Sequence, residues 1–146
     1  MINRQRGAAI IEFALILPLL LVLTMATTEF GRAIYQYNTI VKSLRQAARY
    51  LSVQTPGTMT AEAKNLVVFG NIAGSGTELV PGLTVSQVAT PTWATRGSNP
   101  LINTVTITVT GYKFHSLFVS VFGVVFADTA GKIAFSDISA SMRSPL

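Results

Sequence analysis

The sequence R-G-A-A-I-I-E-F at residues 6–13 opens an apolar segment that continues to residue 28. Residues 8–28 contain one charged side chain, that of Glu12. At about 1.5 Å of rise per residue, a helix of this length just crosses a hydrocarbon core of roughly 30 Å. An ionised carboxylate in lipid costs on the order of 2.5 kcal/mol or more unless it is compensated. The segment therefore predicts a membrane-spanning helix, and Glu12 is its first candidate functional residue.

The composition of the chain narrows the class of protein. Charged residues make up 12% of it, well below the roughly 25% of ordinary soluble domains. A net charge of +5 can indicate nucleic-acid binding, but four cations follow the apolar segment: Arg32, Lys42, Arg45 and Arg49. There a basic girdle beside anionic lipid headgroups is the simpler interpretation. We therefore expect a lipid bilayer as a partner, and no nucleic acid. The absence of cysteine excludes disulfides and thiol catalysis.

The helical pattern continues beyond residue 28 as one apolar stripe at alternating steps of four and three residues. The members of this stripe are predicted to pack on the chain's own head or on neighbouring helices: Phe30, Ile34, Tyr37, Val41, Leu44, Ala48 and Leu51. The sequence Q-T-P-G at residues 54–57 then ends the helix, because proline and glycine together disfavour its continuation. The predicted helix thus runs from residue 8 to residue 53.

Residues 54–146 predict a small head with a short helix and an antiparallel β-sheet, so the expected fold class is α+β. The short helix should be capped by Thr60 and stop at Gly70. Strands are predicted over 83–89, 103–111 and 138–143. The clearest is 103–111, where valine and isoleucine alternate with threonine. We expect residues 91–100 to be irregular. The apolar run 114–127 is too short for a second span, and predicts a buried or membrane-facing connection.

No pattern typical of catalysis or metal binding is found. His115 stands in an aromatic neighbourhood without clustered acids, which favours a packed or interfacial residue over a metal ligand. The remaining acids lie apart in capping or turn contexts: Glu62, Glu78, Asp128 and Asp137. There is no nucleophile elbow and no glycine loop for phosphate. The sequence therefore predicts a protein that is not an enzyme, with no catalytic residues, no cofactor and no metal.

Three blocks of the sequence resemble, in the same order, the TadE-like proteins: R-G-A-A-I-I-E-F-A-L-I-L-P-L-L at 6–20, E-F-G-R-A-I-Y-Q-Y-N at 29–38 and A-A-R-Y at 47–50. These are minor pilins, or pseudopilins, of the tight adherence (Tad) pilus, within the type IV pilin superfamily. The resemblance implies that a prepilin peptidase cuts between Gly7 and Ala8, which makes Glu12 the fifth residue of the mature chain. It also implies an assembly role for Glu12, whose carboxylate would meet the N-terminal ammonium of a neighbouring subunit.

The resemblance also implies an organisation and a location. The chain would consist of a leader at 1–7, a transmembrane segment at 8–28, an amphipathic continuation at 29–53 and a head at 54–146. It would cross the bacterial inner membrane once, with the N-terminus inside and the head outside, and incorporation into an extracellular pilus is left open. Implied partners are the prepilin peptidase, other major and minor Tad pilins, and inner-membrane platform and assembly proteins. The implied function is a structural or initiating role in pilus assembly, adherence and biofilm formation.

The residues alone leave two other interpretations open. The chain could be an uncut single-span envelope protein whose head binds a ligand or partner. It could also be a secreted binding protein that begins near Thr27, after a cut by signal peptidase. Similarly, Glu12 could simply reach the headgroups from the first helical turn, where the helix dipole favours an acid.

Overall fold

The computed structural model describes residues 3–145, with side chains from residue 7 onward. Its helices are α1 (Asn3–Ser52) and α2 (Thr60–Phe69). Its strands are β1 (Thr92–Arg96), β2 (Ile102–Val109), β3 (Lys113–His115), β4 (Ser120–Val121), β5 (Val124–Val125), β6 (Lys132–Ala134) and β7 (Ile138–Ser144). Strand order is β1-β2-β7 in a three-stranded sheet, with β3-β6 and β4-β5 as two-stranded pairs. The α+β class is confirmed.

Helix α1 is one uninterrupted element of 50 residues, about 75 Å long at 1.5 Å per residue. It continues through Pro18, which removes one backbone hydrogen bond and is tolerated in membrane helices. Four threonine hydroxyls donate to the carbonyl oxygen four residues earlier: those of Thr24, Thr27, Thr28 and Thr39. These bonds satisfy the hydroxyls without any partner outside the helix. Of the predicted leader, residues 1–2 lie outside the described residues.

The chain divides into two compact units. The stem unit comprises the chain through Ile34 together with His115–Ile133, a segment that we call the arm. The head unit comprises Tyr35–Phe114 together with the chain from Ala134 onward. This division differs from the predicted segments, because the second part of α1 belongs with the head and the arm belongs with the first part of α1. The boundaries of leader, span and head stay predictions.

The head unit is built around an antiparallel sheet and two helical segments. Strand β2 is central, and Val105, Ile107 and Val109 on one face are at most 1% exposed. Buried residues from α1 and α2 belong to the same core: Ile40, Leu44, Ala47, Ala48, Leu51, Ala63, Val67 and Val68. Burying each larger apolar side chain is worth about 1.5–3 kcal/mol. The strands predicted over 103–111 and 138–143 are confirmed as β2 and β7.

A buried hydroxyl ties separate segments of the head unit together. Tyr112 is 2% exposed, and its Oη lies 2.7 Å from Gln36 Oε1 and 3.1 Å from the Pro81 carbonyl oxygen. Its ring lies beside that of Phe135, with ring centroids 5.6 Å apart. Burial raises the pKa of Tyr112 to about 12, because it disfavours the phenolate.

Two secondary-structure predictions in the head are wrong, one of a strand and one of an irregular segment. Residues 83–89 do not form a strand; they contain a 3₁₀ turn at Val85–Gln87, because Thr84 and Gln87 form a capping box. Residues 91–100, expected to be irregular, contain β1. Trp93 lies opposite Val105 in the pairing of β1 with β2, and such cross-strand contacts stabilise an edge strand in spite of weak local propensity.

The predicted cap of α2 is also wrong. Met59, not Thr60, is the N-cap residue; it has a φ of 52° and makes no side-chain cap hydrogen bond. Thr60 is instead the first helical residue. At the other end the prediction holds, because Gly70 has a φ of 74° and its N–H bonds to the Leu66 carbonyl oxygen. Glycine adopts this left-handed conformation without steric cost.

The arm folds as a loop with a short hairpin at its centre. Strands β4 and β5 pair with Val121 opposite Val124, which leaves Phe122 and Gly123 as a two-residue turn. At the base of the arm, Asp128 Oδ1 accepts hydrogen bonds from the N–H groups of Ala130 and Lys132 at 3.0 and 2.7 Å. Several hairpin residues are exposed, so burial, the first of the two alternatives for the apolar run 114–127, does not hold for this part of it. A membrane-facing connection stays a prediction.

Candidate functional site

The predicted cleavage and assembly region lies on exposed helix. Ile10, Ile11 and Phe13 are 69%, 65% and 61% exposed, and Glu12 between them is exposed as well. A Cβ added at Gly7 would meet nothing within 4 Å. The fold of the chain therefore does not require glycine at this position, and any such requirement would come from a molecule that binds the segment.

The end of the predicted packing stripe is buried in the head unit. Leu44, Ala48 and Leu51 are each 0% exposed, and Val41 is half-buried against the same core. Their environment is apolar, as expected of residues that hold a helix on its own head.

The start of the same stripe lies open. Phe30, Ile34 and Tyr37 are 70%, 46% and 43% exposed. The buried side chains in this part of α1 are polar ones on another face, Glu29 and Gln36. Packing of Phe30 and Ile34 therefore stays a prediction, and it requires another molecule.

Among the described residues of the stem unit, Glu29 has the largest number of polar partners. It follows the predicted span directly and is 5% exposed. Its Oε1 pairs with the Arg32 guanidinium at 2.6 Å. Its Oε2 accepts hydrogen bonds from Ser116 Oγ at 2.8 Å and from the Leu117 N–H at 3.2 Å. The carboxylate thus fixes the start of the arm to the helix.

The electrostatics of this site favour an ionised Glu29. Burial alone would raise its pKa, because it disfavours the charged form. Hydrogen bonds from Ser116, Arg32 and Leu117, with the positive charge of Arg32, outweigh burial and lower the pKa of Glu29 below its ordinary value. Hydrogen bonds to a carboxylate are stronger than those between neutral groups. Ser116 Oγ also lies 2.7 Å from the Phe118 carbonyl oxygen, but its single proton bonds to one acceptor at a time.

Comparison with known protein families gives a match that lies within this helix. Residues 7–49 match the family model described as TadE-like protein. In this segment the chain is similar to TadE-like proteins. The match confirms the resemblance of the N-terminal blocks and supports a role connected with the Tad pilus. It covers less than a third of the chain and includes no residue of the arm or of the sheet. No curated protein and no solved structure shows significant similarity to the chain.

The TadE-like segment contains Gly7, Ala8, Glu12, Glu29 and Arg32. Gly7, Ala8 and Glu12 are exposed, and the fold does not require glycine at position 7. Glu29 and Arg32, in contrast, form an ion pair. A pair such as Glu29 and Arg32, an acid after an apolar segment with an arginine three residues later, indicates an ion pair on a helix face. Our sequence analysis did not identify this pair, although the spacing alone could have indicated it. Ser116 has no such signal, because it lies 87 positions away.

The head unit has open grooves along its part of α1. One of these, of 480 Å³, is lined by polar helix residues that include Asn38, Lys42 and Gln46. Its lining contains no carboxylate or histidine, so it lacks the groups of an acid–base site. Among residues with described side chains, no three of His, Asp or Glu lie together to hold a metal ion. Nothing positive in the described part of the chain indicates catalysis.

Proposed function

We propose that the chain is a membrane-anchored minor pilin, or pseudopilin, of a Tad-type pilus, with a structural or initiating role in pilus assembly, adherence and biofilm formation. The observation that carries the proposal is the TadE-like match at residues 7–49. It coincides with the helix that is long and apolar enough to cross a membrane. In this proposal the leader 1–7 is removed by a prepilin peptidase, the helix anchors the chain in the inner membrane and the head lies outside.

The role proposed for Glu12 follows from its isolation. It is the one charged side chain in residues 8–28, and it is exposed in the single chain. Cleavage after Gly7 creates an ammonium group at Ala8. Two opposite charges that each cost free energy in lipid compensate one another when helices of neighbouring pilins bring them together. Glu12 would therefore select a pilin neighbour and set its position along the helix.

The partners follow from the same proposal. The peptidase acts on the Gly7–Ala8 bond at the cytoplasmic face, other Tad pilins contact the helix, and platform proteins of the inner membrane receive the complex. The exposed Phe30 and Ile34 supply an apolar surface for helices of these partners.

The first experiment determines the N-terminus of the protein from its native cells by mass spectrometry. We expect the mature chain to start at Ala8. A start at Met1 would contradict processing and favour an uncut envelope protein, whereas a start near Thr27 would indicate secretion. Gly7→Val is the companion variant: because a Cβ at Gly7 meets no neighbour, it should fold normally and accumulate with its leader attached. Normal cleavage of this variant would refute the peptidase site.

The second experiment separates assembly from processing with Glu12→Gln. The amide conserves size but removes the charge, and a neutral group is cheaper to place in lipid. We expect the variant to be cut and inserted, yet to lose crosslinks to other pilus subunits in membranes of the same cells. Glu78→Gln, an exposed change in the head unit, is the matched control. Normal crosslinks for Glu12→Gln would show that Glu12 only reaches the headgroups.

A further inference from the structure

The hairpin of the arm carries an unusually apolar surface. Residues 116–127 contain no charged side chain. Five large apolar side chains in this stretch are exposed, by 66%, 43%, 69%, 46% and 72% in chain order: Leu117, Val119, Phe122, Val124 and Val125. Exposed apolar groups that are contiguous in this way mark a surface that contacts something other than water.

The turn of the hairpin places its largest side chain at the tip. Phe122 has a φ of 49° and Gly123 a φ of 84°, as in the type I′ turns that join two short antiparallel strands. Asparagine, aspartate and glycine are favoured at the first of these positions, because a bulky side chain strains the left-handed conformation. Phenylalanine is therefore poorly suited to the turn itself. Its presence indicates a requirement for an aromatic group at the tip.

The Glu29 site fixes where the hairpin begins. Ser116 and Leu117 bond to a carboxylate that lies one position beyond the predicted span. From Ser116 to Phe122, six residues of extended chain reach at most about 20 Å. The interfacial zone between hydrocarbon and water is roughly 5–8 Å deep on each side of a bilayer. The tip is therefore within reach of the lipid that surrounds the helix.

On the face of α1 that carries Glu29, the residues that precede Glu29 in the predicted span are partly buried. Val22, Met25 and Ala26 lie seven, four and three residues before Glu29, so they share its face, and all three are half-buried. Leu19 and Leu23 are 69% and 62% exposed. This asymmetry is consistent with an arm that follows the helix from Glu29 back toward the apolar segment.

We propose that the arm is a second membrane attachment, whose hairpin inserts Phe122 and its apolar neighbours into the outer leaflet of the bilayer that α1 crosses. The proposal rests on the proposed function for the orientation of the helix. The occupant is lipid, because the surface lacks charge and its anchor lies at the end of the span. Aromatic and branched side chains around a tight turn suit the boundary between headgroups and acyl chains. The ionised Glu29 holds the hairpin at this depth.

The test uses full-length protein in vesicles of phosphatidylethanolamine and phosphatidylglycerol. The chain contains no cysteine, so single cysteines introduced by Phe122→Cys, Leu101→Cys and Leu23→Cys each carry one spin label. Leu101 is the matched control, since it is an apolar residue of the head unit that is 66% exposed. Leu23, in the span, reports insertion of the helix. Accessibility of each label to oxygen and to a water-soluble nickel chelate is measured by electron paramagnetic resonance.

Lipid contact has a specific signature in this measurement, namely high accessibility to oxygen with low accessibility to nickel. We expect that signature at Phe122 and Leu23, and the reverse at Leu101. If the Phe122 label is open to nickel while Leu23 shows lipid, the attachment is refuted and the span survives. If the Phe122 label is shielded from both reagents, its partner is a protein, which also refutes the proposal. If Leu23 is open to nickel, the spanning helix fails and the attachment fails with it.

A second variant excludes misfolding as the explanation. Phe122→Asp places a residue that type I′ turns favour at the tip, so the hairpin should form at least as well as in the natural chain. With the label at Val125→Cys, the added charge should shift the signal from lipid toward water, while the signal at Leu23 stays unchanged. An unchanged lipid signal at Val125 would show that the tip does not enter the leaflet.

Discussion

In the head unit, Leu44, Val67 and Ile107 have no exposed surface, whereas in the stem unit Ile10 and Phe122 are each 69% exposed. Among the described residues, the buried apolar side chains all belong to the head unit except Ala127. The same apolar residue types are therefore buried in the core of the head unit and exposed in the stem unit. The head removes apolar surface from water by its own fold. The stem leaves such surface open, which is stable only where lipid or a protein partner replaces water.

The largest effect should come from a charge placed in the closed core. Leu44→Asp buries a carboxylate among apolar residues without a partner, and an uncompensated buried charge costs about 3–5 kcal/mol. We expect the head to lose most of its stability, measured by thermal and urea unfolding in detergent. Leu101→Asp is the control, because Leu101 is exposed. Equal unfolding curves for the two variants would contradict the difference between core and surface.

A smaller loss is expected from the buried hydroxyl of the head. Tyr112→Phe leaves the ring in place but removes the hydroxyl whose proton lies closest to the buried Gln36 Oε1. An unpartnered buried acceptor costs about 1–3 kcal/mol. Urea unfolding at neutral pH measures the loss. Tyr35→Phe serves as the control, because Tyr35 is 72% exposed and should unfold like the natural protein.

The same tyrosine predicts a dependence on alkaline pH. Its pKa is raised from 10.0 to about 12 in the folded state, so the folded state retains a proton that the unfolded state has lost. The contribution is intact below pH 10.0 and declines as the pH rises toward 12. We expect the natural protein to lose stability in this interval more steeply than Tyr112→Phe. Parallel curves would contradict the burial of the phenol.

In the stem unit, Glu29→Gln should loosen the arm without unfolding the head. The amide retains a carbonyl acceptor but loses the charge, and the difference between charged and neutral hydrogen bonds is about 1 kcal/mol. Hydrogen exchange of the Leu117 amide should become faster, whereas exchange in β2 should not change. Glu62→Gln, in the first turn of α2, is the control and should leave the Leu117 amide protected.

Acid should reproduce the effect of this variant. Because the pKa of Glu29 is lowered from 4.5, the folded state binds its proton less readily than the unfolded state. The contribution to stability is therefore present above pH 4.5 and is lost as the pH falls through the lowered pKa. Protection of the Leu117 amide should decline in that acidic range in the natural protein. Protection that is independent of pH would show that the carboxylate does not hold the arm.

The smallest effect on stability is expected at Phe30. Phe30→Ser changes a side chain that is 70% exposed, and surface changes are usually within about 0.5 kcal/mol. Unfolding should therefore be unaltered. If this residue packs on a neighbouring subunit, crosslinks within pilus complexes should nevertheless weaken. Unaltered crosslinks would show that the predicted packing stripe does not extend to Phe30.

The features that depend on one repeated pattern were predictable from the sequence. The long helix and strand β2 are examples, because the apolar stripe and the alternation of Val105, Ile107 and Val109 with threonine each specify one geometry. The stripe itself combines a face that is buried near Leu44 with one that is exposed near Phe30. Alternating steps of four and three identify a helix. They do not show which face of it is buried, because the apolar Phe30 is exposed whereas the polar Glu29 beside it is buried with partners from a distant segment.

Other features depend on contacts between distant segments. Strand β1 forms because β2 lies beside it, although residues 91–100 contain proline at both ends. The Glu29 site requires Ser116, and no local rule connects positions 87 residues apart. The turn at Phe122 is similar, since its sequence lacks the asparagine or aspartate that normally indicates a hairpin of this type. Strand β1, the Glu29 site and the turn at Phe122 are therefore determined by tertiary contacts and not by local sequence preference.

Strand β7 closes the sheet by pairing with β2, and its Ile138 enters the core. Ser144, near the end of the same strand, donates to the carbonyl oxygen of Ser52 in α1. During synthesis, the apolar part of α1 therefore emerges more than a hundred residues before the strand that completes the head. Because a domain folds only when its long-range contacts can form, the helix is available to the membrane while the head is still unfolded. The order of the chain thus allows the apolar helix to meet a membrane before the head has folded.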